Sequence, residues 1–249
     1  MKSSNASRPQ VYEAEAVLVA KDTPTLRARL EQYQSNAPKK SKLQHWQKRH
    51  IDKFAHFIDN PYCYNKAFLE LHHVNSSLKP LQPRQRLALV KVFAALLSIT
   101  EAEKFQVGVC KNDGMEGATH QSLRRIYETI WGESIHKSRW DRMIKLLKKA
   151  KWLDVDACYC LDNEPDENGE HTDRIYSIAA MKTFTATCLA AFGLSQKKDV
   201  AISTQRSIAD RIRKGLSNIW IGYKSFTKRL TSETGLTPIP IDYDQSLIH

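Results

Sequence analysis

The stretch Ser134-Ile135-His136-Lys137-Ser138-Arg139-Trp140-Asp141-Arg142-Met143-Ile144-Lys145-Leu146-Leu147-Lys148-Lys149-Ala150-Lys151 decides how the chain is read. Advancing about 100° per residue from Met143, Leu147, Trp140 and Ala150 cluster on one face, and Ile144 continues their apolar stripe. A helix that buries this stripe is predicted to run from Ser134, whose hydroxyl suits a cap, to about Lys151. The opposite face carries Ser138, Asp141, Lys145, Lys148 and Lys149, flanked by Lys137 and Arg142, with Arg139 at the edge of the apolar face. Seven Lys or Arg residues between Lys137 and Lys151 meet one carboxylate, Asp141. That is far more positive charge than solvation of a helix requires.

Working outward, Gln121 to Trp131 places Leu123, Ile126, Tyr127 and Ile130 on one face and stops at Gly132, a residue suited to ending a helix. Two helices joined by a short glycine-containing turn are a helix-turn-helix candidate. Upstream, Phe105 to Cys110 alternates as a short strand and is followed by the turn-rich Lys111-Asn112-Asp113-Gly114. Before it, Pro83 suits the first turn of a helix carrying Leu87, Val90, Phe93, Ala94 and Leu97. Downstream, Trp152 to Leu161 and Arg174 to Ile178 read as two strands joined by an Asn/Asp/Gly-containing loop, hence a β-hairpin. Helix, short strand, helix, turn, helix and hairpin over residues 84 to 179 is the order of a winged helix. The expected fold is therefore mainly α (α+β), a winged helix-turn-helix core with additional N- and C-terminal helices.

The expected organisation is an N-terminal arm and linker over 1–42, partly flexible and ending in a Pro/Lys/Ser segment, then a helical segment over 43–80. The latter holds two helices: Leu43, Trp46, His50, Phe54, Phe57 and Ile58 recur at helical spacing, and Phe68, Leu69 and Leu71 follow the Asn60-Pro61 break. The core occupies 81–195, a C-terminal helical segment 196–232, and a tail 233–249. From Thr204 to Leu230 a further helix is expected, with Ala209, Ile212, Leu216, Ile219, Tyr223, Phe226 and Leu230 spaced alternately three and four apart. Such a seam serves either packing on its own domain or a helical partner in a homodimer. Gly215 and Gly222 weaken an isolated coiled coil.

The 249 residues contain 38 Lys and Arg against 27 Asp and Glu, a net charge of +11, which attracts polyanions. No apolar run approaches the length of about eighteen residues needed to span a bilayer, and the start Met1-Lys2-Ser3-Ser4-Asn5 lacks the apolar segment of a signal peptide, so no membrane is expected and the location is cytoplasmic. Five cysteines without framework spacing read as reduced thiols. Cys158 and Cys160 have no second pair to complete a metal site, and neither a metal nor a cofactor is expected.

For a basic helix of this kind the fitting polyanion is double-stranded DNA, whose major groove admits one α-helix. Lys137, Ser138, Asp141 and Arg142 would lie near bases, with Arg142 able to hold guanine through two hydrogen bonds. Lys145, Lys148 and Lys149 would neutralise phosphates, and Arg139 stands between the two roles. A solvated helix on a generally basic protein is the competing reading. The hairpin loop from Asp162 to Asp173 carries six carboxylates and no Lys or Arg, so its tip should point away from DNA or meet a basic partner, a flexible acidic loop being the alternative that is favoured.

The layout resembles the RepA-type replication initiators of IncFII-like plasmids from about Asn65 to Ser195. The residues that carry the resemblance are Phe68-Leu69-Glu70-Leu71-His72-His73, the link Pro80-Leu81-Gln82-Pro83-Arg84, Ala94-Ala95-Leu96-Leu97, Ile135 to Arg142 and Leu146 to Leu153. After the wing come a helix at Met181-Lys182-Thr183-Phe184 and the closing Phe192-Gly193-Leu194-Ser195. The resemblance implies a protein that binds double-stranded origin DNA on its own plasmid and recruits the host replication initiator and helicase. The family's basic tail is not matched by Pro238-Ile239-Pro240-Ile241-Asp242-Tyr243-Asp244. A winged-helix transcription regulator is the alternative, and a nicking or priming enzyme a more distant one. Leu71-His72-His73-Val74 lacks the spacing of a nicking enzyme's metal-binding histidines, and no phosphate-binding loop occurs. No catalytic activity is expected.

Overall fold

The structure is a computed structural model that describes residues 22–38, 42–59, 80–162 and 174–221, with Pro61, Phe68, Glu70, Leu71 and Val74. In chain order the elements are α1 (Asp22–Asn36), α2 (His45–Asp59), α3 (Pro83–Ser98), β1 (Gly108–Cys110), β2 (Met115–Gly117), α4 (His120–Trp131), α5 (Lys137–Lys149), β3 (Leu153–Asp162), β4 (Arg174–Phe184), α6 (Ala186–Phe192) and α7 (Lys198–Arg213). The described chain is thus mostly helical with small antiparallel sheets. Among the described residues no helix is long and apolar enough to cross a membrane.

α3 lies at the centre because it is apolar nearly all round. Pro83 starts it, where the missing N–H costs nothing, and Ala88, Leu89, Val90 and every residue from Val92 to Leu97 are buried. α2, α4 and α5 pack against it. Arg86 is also buried, its guanidinium donating to the carbonyls of Ile58 and Leu81, which ties the start of α3 to the end of α2.

A knot of aromatic rings joins the N-terminal helices to the hairpin. The Phe54 ring lies 4.9 to 5.8 Å from those of Phe57, Phe68, Phe93, Trp152 and Phe192. The pairs with Phe68, Phe93 and Phe192 meet edge to face, which adds to the gain from burial. α2, α3, the residue before β3, and α6 all contribute to it, and buried side chains from Leu26 to Val200 make one cluster.

β3 and β4 form an antiparallel hairpin, with Leu153 opposite Phe184, Asp156 opposite Met181, and an irregularity between Asp156 and Cys158. On the other side of β4, Gln106 bridges Thr183, the Val107 N–H donates to the Lys182 carbonyl (2.8 Å), and the Phe184 N–H donates to the Phe105 carbonyl (3.0 Å). The expected strand over 105–110 is therefore split: its first half pairs with β4, and its second half is β1, which turns through Lys111–Gly114 to pair with β2. Gly117 in β2 lies so near β4 that a Cβ there would stand 3.0 Å from the Ala179 carbonyl.

Four expectations are corrected. The stretch read as an arm and linker contains α1, which buries Leu26 and Leu30. Met181–Phe184 is not a helix but the end of β4: Lys182 and Phe184 point inward at strand spacing, and the helix follows only after Thr185 caps it by accepting from the Cys188 N–H. The helix expected from Thr204 to Leu230 is α7, which begins at Lys198 and ends at Arg213, because Gly215 adopts a left-handed conformation (φ 64°) and turns the chain. Leu216 thus leaves the seam, and residues 222 to 230 lie outside the described ones, as do Val17-Leu18-Val19, His72, His73 and the hairpin loop 163–173. The cap of α5 also differs: it is His136 rather than Ser134, and the helix ends at Lys149.

Because the aromatic knot joins four parts of the chain, Phe54→Ala should cost about 3–5 kcal/mol. It should do so in a single unfolding transition, read by urea denaturation followed simultaneously by tryptophan fluorescence and circular dichroism. Two separated transitions would contradict a shared core.

Candidate nucleic-acid interface

The candidate surface is built on α4, the link Gly132–His136, and α5. Thr119 caps α4, its hydroxyl accepting from the Ser122 N–H (3.1 Å), and Leu123, Tyr127, Ile130 and Trp131 are buried at helical spacing. Gly132 adopts φ 66°, and its N–H donates to the Glu128 carbonyl (2.8 Å), so the chain leaves α4 abruptly. Glu133 then anchors the link. Its Oε1 accepts from Lys91 Nζ of α3 (2.8 Å) and from the Tyr127 hydroxyl of α4 (2.6 Å). Burial alone would raise the Glu133 pKa, but Lys91 and the Tyr127 hydroxyl hold it below its usual value. Burial, then the Glu133 carboxylate, pushes the Tyr127 phenol well up. Trp131 completes the brace by donating to the Lys91 carbonyl (3.0 Å).

After this brace Ile135 is buried, and His136 caps α5 with Nδ1, which accepts from the Ser138 N–H (3.3 Å) and lies 2.8 Å from the Ser138 hydroxyl. Trp140, Met143, Ile144, Leu146 and Leu147 are buried against the core. Lys137, Ser138, Arg139, Asp141, Arg142, Lys145, Lys148 and Lys149, the residues singled out from the sequence, are all exposed. Arg139 is tethered at its end, donating to the Arg84 carbonyl at the start of α3 (3.3 Å), which explains its position beside the buried stripe. The face thus presents six cations and the acid Asp141.

Two features of this face work against helix stability. Lys137 stands in the first turn, where no acidic residue is present and where the helix dipole disfavours a cation. At the other end Lys151 has φ 56°. Its N–H donates to the Lys148 carbonyl (3.0 Å) and the Trp152 N–H to the Leu147 carbonyl (2.9 Å), the two bonds of a helix-ending motif whose left-handed position glycine normally fills. The lysine there carries strain, and it extends the line of Lys148 and Lys149. Its local sequence looked like one more surface lysine, so only the backbone marks it.

Behind this face, two residues tie neighbouring elements together, Lys182 between β4 and the start of α4 and His120 between α4 and α5. Lys182 of β4 is fully buried, its ammonium donating to the carbonyls of Ala118 (2.7 Å) and Ala180 (2.9 Å), and burial pulls its pKa down to about 8. His120, the first residue of α4, accepts the Trp140 indole N–H at Nδ1 (3.2 Å), and the same nitrogen stands 3.6 Å from Asp141 Oδ1. Neither role was visible in the sequence, because a lysine in a strand and a histidine at a helix start both read as surface residues.

The hairpin base adds negative charge: Asp154 and Asp156 of β3 are exposed. Near the end of α7 two arginines are paired with acids. Arg211 pairs with Glu101 and Glu103, and Arg213 with Asp210 (2.7 Å). Among the described residues no group of three or more His, Cys, Asp or Glu side chains is placed to hold a metal ion.

Lys182 binds its proton less tightly folded than unfolded, so its destabilising effect should be constant below about pH 8 and stability should rise from there towards pH 10. Lys182→Met should flatten that rise in urea midpoints, and an unchanged slope would contradict the burial. Lys151→Gly should stabilise the fold by roughly 0.5–1 kcal/mol, the relief of left-handed strain less the entropy of glycine. A destabilised K151G variant in the same measurement would show that the conformation carries no strain.

No protein-family model matches the chain, and no curated protein or solved structure matches it either.

Proposed function

We propose that residues 83 to 184 form a winged helix-turn-helix that binds double-stranded DNA through α5, and that the protein is a plasmid replication initiator acting at its own origin. The observation that carries the DNA reading is the exposed row Lys137, Arg139, Arg142, Lys145, Lys148 and Lys149 on a helix whose other side is fully engaged in the core. A rigid helix with one free cationic side, braced at its start by Glu133 and at its end by Trp152, suits insertion in the major groove. On this reading α3, α4 and α5 are the three helices, Phe105–Val107, β3 and β4 the sheet, and the β3–β4 hairpin the wing.

Within the groove Arg142 reads guanine, Ser138 and Lys137 meet base or backbone near the helix start, and Lys145, Lys148, Lys149 and Lys151 meet phosphates. The acids Asp154 and Asp156 keep the base of the hairpin off the DNA backbone. Binding by positive charge and shape needs no catalytic group, and the protein acts by marking the origin and presenting it to the host replication initiator and helicase. The initiator role rests on the resemblance of residues 65 to 195 to RepA-type initiators. A transcription regulator would use the same surface, and a plasmid establishment assay separates the two: autonomous replication of an origin beside the gene supports the initiator, while promoter repression without replication overturns it.

Arg142→Ala should cost about 1–3 kcal/mol of specific binding and relax the preference at one base pair, whereas Lys148→Ala should weaken all sequences alike. Six phosphates neutralised give a slope of about −5 for log affinity against log salt. Fluorescence anisotropy of labelled duplexes reads both, and unchanged affinity in both variants with a flat salt response would remove the DNA reading.

A further inference from the structure

Asp141 is the one acid among the exposed residues of α5, and its neighbour on α4 decides what it can do. His120 Nδ1 faces two groups at once: the Trp140 indole N–H at 3.2 Å and the Asp141 carboxylate at 3.6 Å. One ring nitrogen cannot serve both. As an acceptor for the indole it carries no proton and offers Asp141 nothing. Carrying a proton, it loses the indole and turns a donor towards the carboxylate.

The charges around the ring favour the first arrangement. Lys182 Nζ of β4 is bonded to the carbonyl of Ala118, two residues before His120, and Arg124 stands one helical turn further along α4. Against these cations stands Asp141 of α5. Burial, followed by the Lys182 charge, pulls the His120 pKa below its ordinary value, and Asp141 offsets this in part. At neutral pH the ring is therefore neutral, Trp140 is held in place, and the half-exposed Asp141 carboxylate is left to accept from outside.

We infer that His120 is a positioning residue that sets base specificity: neutral, it leaves Asp141 free to accept the amino group of a cytosine in the major groove, and protonated, it withdraws that acceptor. A carboxylate meets the cytosine N4 amino group in this way, while it repels the acceptor edges of guanine and thymine. This role rests on the DNA-binding reading of α5. The coupling between His120, Trp140 and Asp141 does not, since it is present in the protein alone.

Two measurements test the pair of statements separately. In the DNA-free protein, nitrogen NMR of the His120 ring should show the tautomer protonated at Nε2 near pH 8, titrating below pH 6.5, with the Trp140 indole proton signal moving at the same midpoint. An Nδ1-protonated tautomer, or an indole signal indifferent to the His120 titration, overturns the proposal. Selection of bound duplexes from a random pool should then return a cytosine preference of roughly tenfold at one position at pH 7.5, and a much weaker one at a pH below the His120 midpoint that the NMR titration gives. Asp141→Asn should lack that preference at both pH values. His120→Asn, which keeps an acceptor near the indole but does not titrate, should retain it at both, and so also reports that the fold survives at the lower pH. A preference that is independent of pH in the unaltered protein, or one that survives in D141N, overturns the role of His120. If no duplex is bound at any pH, the base-reading role fails together with the DNA reading, and the NMR titration still stands or falls by its own result.

Discussion

Trp152 stands three residues past the end of α5, and its burial among Phe54, Phe68 and Phe192 fixes the orientation of the elements on either side. Rotating α5 about its axis would pull this ring from the knot and expose Trp140, so the helix has one stable setting, and that setting turns its lysines and arginines to solvent. The same ring stands just before β3, so the hairpin leaves the core in a direction set by the knot too. The cationic face and the hairpin are thus held in a fixed relation by an apolar contact that neither of them exposes.

Charge at this site is arranged against local preference. A cation in the first turn of α5, a lysine in the left-handed position at its end, and a buried lysine behind α4 all oppose the stability of the elements that carry them. The surrounding structure compensates: Glu133 pins the link between α4 and α5 from two sides, and two carbonyls hold the Lys182 ammonium. Departures from local preference of this kind concentrate where a surface serves something other than folding.

Much of this arrangement was legible in the sequence, for a definite reason. α4 and α5 bury wide stripes, so Leu123, Tyr127, Ile130 and then Trp140, Met143, Ile144 and Leu147 spell out the helical period, and Gly132 marks the break between them. The cationic residues could be placed once that period was known. α1 was not legible, because it is anchored by little more than Leu26 and Leu30 and its pattern is weak. Nor was the end of β4, where an inward lysine replaces the apolar residue that would have continued the strand alternation to Phe184. The partition of 105–110 between two sheets depends on contacts with β4 and with Ser217–Trp220, far away in sequence. The roles of His120 and Lys182 arise only when α4, α5 and β4 meet.

The central claim is that the exposed side of α5 is the surface that enters the DNA groove. Amide and side-chain NMR shifts, mapped on the protein as it is titrated with a duplex selected from a random pool, test it most directly. The account predicts that the largest changes fall on Lys137, Ser138, Asp141, Arg142 and Lys145, with smaller ones at Lys148, Lys149 and Lys151 and little at Asp154 and Asp156. Changes centred on α1, α7 or the β3–β4 hairpin, with α5 unmoved, would contradict it.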